Sequence, residues 1–156
     1  MSHNNKMRTL IAAAGFTLLS VAGAQAVDNL ISPDAPDLTA QRAMIKARDF
    51  KGAIAALTPL LQTHQHPDIY NLMGFSLRKS GDVKQAATFY AKALDFDPEH
   101  KGALEYQGEM FVEQGQLDKA RANLVKLVKL CPTGCEERED LEKAIAAVSA
   151  AKQRIN

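Results

Sequence analysis

A 34-residue recurrence constrains this chain more than any other feature. Gly74 returns as Gly108, Gly81 as Gly115, Ala86 as Ala120 and Pro98 as Pro132, all at one and the same interval. A fixed period of this length marks a repeat architecture, in which one supersecondary unit stacks on the next to bury a shared core. The best-formed unit is Tyr70 to Pro98, two amphipathic helical patterns separated by Ser80-Gly81-Asp82. Gly81 suits the left-handed position after a helix, Asp82 suits the cap of the next, and Gln85 three positions on could complete a capping box. Val83, Ala86, Ala87, Phe89, Tyr90, Ala93 and Leu94 give the second helix a wide apolar face.

The rest of the chain continues the pattern in both directions. Helices are expected over Leu38–Arg48 and Phe50–Gln62, the second capped by Asp49 and kinked at its end by Pro59. Pro67–Lys79 precedes Gly81, Lys101–Gln114 and Gln116–Leu130 form the next pair, and Glu136–Ile155 is a last helix. Acids at Glu136, Glu137, Glu139 and Asp140 open that helix and Lys152 and Arg154 close it, matching the helix dipole. No stretch alternates with period two, so the fold class is all-α. Abundant alanine, 6% aromatic residues and no tryptophan favour closely approaching helices over a bulky sheet core.

The N-terminal segment, residues 1–26, reads as an address. Lys6 and Arg8 precede the uncharged apolar run Leu10–Val21, and Ala24-Gln25-Ala26 supplies small residues for cleavage. The run falls short of the roughly 18 residues that span a membrane, so residues 1–26 are expected to be a cleaved signal peptide. No stable membrane insertion is expected afterwards, and the protein should be periplasmic or secreted. Residues 1–26 hold two of the 19 basic residues and none of the 18 acidic ones, which leaves 17 against 18. Such a balance gives no electrostatic reason for nucleic acid as a partner. Residues 27–37, with two prolines, read as an extended leader.

Tyr70, Met73-Gly74, Leu77, Ala86, Tyr90, Ala93 and Pro98 fall at the spacing of the tetratricopeptide repeat, and the chain resembles that family. Leu104, Gly108, Phe111, Ala120, Leu124 and Pro132 repeat the pattern, with Gln107 and Leu127 as departures. Phe50, Ala53 and Leu57 match in a degenerate first unit, where Gln41 stands for one glycine and Arg48 for the other. The resemblance implies a solenoid of three hairpins over residues 38–135, with residues 136–156 as a capping helix.

It further implies a concave face lined by the first helix of each pair, and a protein or peptide partner held there. By that analogy the partner-binding residues are Arg42, Lys46, Asn71, Phe75, Arg78, Lys79, Glu105, Glu109 and Glu113. Arg42 and Lys46 share one helix face, as do Glu105, Glu109 and Glu113. The groove is thus expected to run from basic to acidic, unless these charges are simply a solvated face. Relatives that clamp a C-terminal carboxylate use lysines and asparagines where this chain has Leu38, Leu72, Gly102 and Tyr106, so that role is not carried over.

Cys131 and Cys135 are the only cysteines, and Pro132-Thr133-Gly134 between them favours a tight reversal. In an oxidising compartment an even cysteine count reads as a disulfide, here one that pins the last helix. A thiol-disulfide or metal-handling role for the pair, with the histidines, is the rival. The spacing is not C-x-x-C, and no histidine follows to complete a zinc site, so no metal or other cofactor is expected. With no phosphate loop, G-x-S-x-G or H-E-x-x-H, the expected function is a non-catalytic interaction module or adaptor, with envelope assembly as a setting.

Overall fold

A computed structural model describes residues 36–153. The expected signal peptide, most of the leader and the end of the chain beyond Gln153 lie outside the described residues. Among the described residues eight helices follow in order: α1 (Thr39–Lys46), α2 (Phe50–Leu57), α3 (Leu60–Thr63), α4 (Pro67–Lys79), α5 (Val83–Phe96), α6 (Lys101–Glu113), α7 (Leu117–Leu130) and α8 (Glu136–Gln153). No strand occurs among them. α1 pairs with α2, α4 with α5 and α6 with α7, and α8 lies against the last hairpin. The fold is an all-α helical solenoid.

The turns inside the hairpins share one hydrogen-bond pattern. After α4, the Gly81 N–H donates to the Arg78 carbonyl (3.0 Å) and the Asp82 N–H to the Leu77 carbonyl (2.9 Å). Gly81 sits at φ 95° to allow this double closure. After α6, Gly115 (φ 72°) and Gln116 bond to Val112 and Phe111 in the same way. The first hairpin keeps the geometry without the glycine. Arg48, at φ 63°, donates to Ile45, and Asp49 donates to Met44.

Two local expectations need correction. The helix expected over Phe50–Gln62 is divided at Thr58-Pro59, because proline has no N–H to continue the ladder. Both residues keep helical dihedrals, so the interruption falls at Pro59, where a kink is expected, and the chain continues through it. Asp82 does cap α5, accepting from the Gln85 N–H at 3.0 Å, but the reciprocal half of the capping box is absent. The Asp82 N–H is already committed to Leu77, so the Gln85 side chain donates to the Asp82 carboxylate instead.

Burial follows the repeat. Leu57, Ile69, Met73, Ala86, Tyr90 and Met110 join the first two hairpins to α6, while Leu104, Ala120, Leu127 and Leu141 join the last hairpin to α8. Gly74 is required by close approach. A Cβ there would lie 2.8 Å from the Tyr90 ring, which is wholly buried. Gly108 plays this part toward Leu141 of α8, 2.6 Å from where its Cβ would be. The repeat glycine therefore seats the cap as well as the hairpins.

Curvature follows from which helices touch. α1 contacts α4, α4 contacts α6 and α6 contacts α8, whereas α5 contacts neither α2 nor α7. The first helices converge and the second helices splay. The face made by α1, α4, α6 and α8 is the concave one.

Candidate functional site on the concave face

Two adjoining hollows occupy this face, and Arg42 and Tyr106 line both. The larger, about 290 Å³, is lined by Arg42 of α1, Asp68 and Asn71 of α4, His100, Gly102, Glu105 and Tyr106 at α6, and Glu136, Glu137 and Asp140 of α8. The smaller, about 200 Å³, is bounded by Ile45, Lys46, Leu72 and Phe75 besides the two shared residues. One hollow is acidic, the other largely apolar.

The rim of the acidic hollow is built by helix caps. His66 and His100, one repeat apart, cap α4 and α6, each accepting a backbone N–H at Nδ1, from Asp68 (3.2 Å) and Ala103 (3.0 Å) respectively. With Nδ1 of His100 accepting, its Nε2–H donates to Asp68 Oδ1 at 2.9 Å. Arg42 reaches the other Asp68 oxygen at 3.2 Å. The His100 bond holds the Asp68 carboxyl below its ordinary value, against the opposing effect of burial and with help from Arg42. Asp68 is thus a satisfied acid that ties three elements together.

Glu105 is the opposite case. It is 7% exposed, and its carboxylate makes no hydrogen bond or ion pair among the described residues. Burial, reinforced by Glu109, Asp140, Glu137 and Glu136, pushes its pKa up to about 8. Burial, with Glu105 and Glu109 nearby, raises the Tyr106 hydroxyl to about 12. Asn71 is also buried, 5% exposed, and its side-chain oxygen has no hydrogen-bond partner among the described residues.

The residues expected on the concave face divide by what they do there. Arg42, Lys46, Asn71, Phe75, Glu105 and the unexpected Tyr106 line the two hollows. Phe75 is half-buried between Phe50 (ring centroids 6.3 Å) and Tyr106 (4.7 Å), with the Lys79 ammonium 5.3 Å above its ring. Arg78 is buried and spans two helices, donating to the Tyr106 carbonyl (2.9 Å) and to Glu109 (2.6 Å), with Glu113 at 3.9 Å. Glu105, Glu109 and Glu113, read as an acidic stretch of the groove or as a solvated face, therefore differ in surroundings: Glu105 is buried, Glu109 is drawn into the Arg78 pair and Glu113 is half exposed. Two of the three answer a buried guanidinium from the neighbouring hairpin.

Sequence reasoning missed Asp68, His100, Glu136, Glu137 and Asp140 as lining residues. The signal for the last three was present. Glu136, Glu137 and Asp140 stand one full period after Gly102, Ala103 and Tyr106, so continuing the repeat would have carried the inner face onto α8.

Cys131 and Cys135 are joined in a disulfide, with Cα atoms 6.0 Å apart. Gly134 turns the loop at φ 105°, and Arg138 of α8 donates back to the Cys131 and Pro132 carbonyls. Among the described residues no group of three His, Cys, Asp or Glu side chains is placed to hold a metal ion. No described helix is long and apolar enough to cross a membrane.

A comparison with protein families matches residues 67–100, and separately residues 103–134, to the tetratricopeptide repeat. The chain carries two tetratricopeptide repeats. No match to it is found among curated proteins. Such repeats are protein-interaction modules, and an adaptor role is what the fold and the repeats support at this level.

Proposed function

We propose that this protein is a non-catalytic adaptor that holds an extended segment of a protein partner along its concave face. The carrying observation is the pair of adjoining hollows, walled by α1, α4, α6 and α8 and bridged by Tyr106. A peptide side chain can enter each hollow, so two neighbouring residues would be recognised together. Residues 1–26 are read as an export signal, the periplasm as the compartment and envelope assembly as the setting. The Cys131–Cys135 disulfide is in keeping with an oxidising compartment.

Site-specific photocross-linking tests the face. A cross-linking residue at Phe75 or Tyr106 is expected to capture a partner that one at Val125, exposed on α7, does not. Equal capture from Val125, or capture only from there, would overturn the concave-face reading.

A further inference from the structure

Five carboxylates and one buried amide line the larger hollow, and their charges are not balanced. Arg42 and His100 are both committed to Asp68. Asp140 pairs with Lys143, which is on the solvent side and well exposed. Glu105, Glu136 and Glu137 make no ion pair among the described residues, and of the three Glu105 is buried, Glu137 half-buried and Glu136 exposed. A buried carboxylate such as Glu105, set beside other acids, is costly unless something positive completes it.

A second observation is independent of charge. Asn71 lines this hollow, is 5% exposed, and has a side-chain oxygen with no hydrogen-bond donor among the described residues. Buried polar groups are almost always satisfied, and of the orphan buried side-chain atoms the Asn71 oxygen is the one on a residue lining this hollow, where a donor can reach it. Gly102 adds to this. A Cβ there would lie 3.1 Å from the Asn71 amide nitrogen, so a glycine inside α6 keeps this wall clear.

A cation that also donates hydrogen bonds would answer both the acids and the Asn71 oxygen. An ammonium or guanidinium group meets both needs, whereas a metal ion does not, since no three ligands converge among the described residues. About 290 Å³ holds one long side chain, and the neighbouring apolar hollow begins at Tyr106 and Arg42. From this geometry we infer that the acidic hollow is a specificity pocket for a lysine or arginine side chain of the partner segment, set beside an apolar residue in the smaller hollow. This rests on the concave-face reading above and names the chemistry that face selects.

The test is a titration of the purified protein with blocked pentapeptides carrying a lysine next to a leucine. Expected is binding that weakens about tenfold or more when that lysine is acetylated or replaced by norleucine, because a buried charge pair is then lost. Glu105→Gln combined with Asp140→Asn should abolish the preference for the unmodified lysine while thermal unfolding stays cooperative. Equal binding of lysine and acetyl-lysine peptides would overturn the inference and leave the concave-face reading intact. Spermidine or magnesium ions competing as well as the lysine peptide would also overturn it, by making the hollow a site for free cations. So would a free N-terminal amine serving in place of the side chain. If no peptide binds, the pocket assignment fails, and the cross-linking contrast, which does not depend on charge, separately decides the fate of the face.

Discussion

Arg48 and Glu105 are both held in states their chemistry disfavours. Arg48 takes the left-handed backbone position that Gly81 and Gly115 take in the later hairpins. A side chain there costs roughly 1–2 kcal/mol, part of which glycine forfeits through its freer unfolded chain. Arg48→Gly is therefore expected to stabilise the protein by about 1 kcal/mol, seen as a higher urea midpoint at unchanged slope. Glu105 has a folded-state pKa of about 8 against an ordinary 4.5, so the folded protein keeps a proton that the unfolded chain releases. Its contribution to stability is then fullest below pH 4.5 and is lost as pH rises to about 8, at up to about 1.4 kcal/mol per pH unit. Glu105→Gln should flatten that decline and leave the variant more stable than the parent at pH 8. An unchanged pH profile would mean that Glu105 is ionised and solvated in the fold. Neither state is visible from residue type alone. Arg48 was identifiable as a substituted glycine from the spacing, but its retained φ was not, and the burial of Glu105 depends on α8 closing over α6.

At the scale of elements, the capping helix stands outside the paired hairpins and is fastened in three ways. Leu141 sits against Gly108, Arg138 bonds back to the loop carbonyls, and the disulfide closes that loop. A loop this short removes little chain entropy, so replacing both cysteines with serine should cost no more than about 2 kcal/mol. The change should appear as faster amide exchange along α8 while α4 and α5 keep their protection. Uniform loss of protection would show that the bridge supports the whole solenoid. The helices themselves were legible, because spacing, glycines and prolines act locally. The charge ladder on α6 was not. Intervals of four show which side chains share a face, but Arg78 answers Glu109 from another helix, in the preceding hairpin. Contacts between elements have no local period to betray them.

Taken whole, the molecule is a short curved stack whose inner wall is continuous from α1 to α8 and changes from apolar to acidic along it. The repeat explains the wall's existence, since it fixes which helices converge. Its chemistry lies at positions the repeat leaves free, such as Asn71, Gly102, Glu105 and Asp140. An amide chemical-shift map of the protein with a bound partner segment reads this wall directly. The largest changes are expected at Asn71, Phe75, Glu105 and Tyr106, spreading to Asp140, with α5 and α7 unmoved on their outer faces. Changes concentrated on α5 and α7, with the concave residues silent, would contradict the binding of a partner in the concave face.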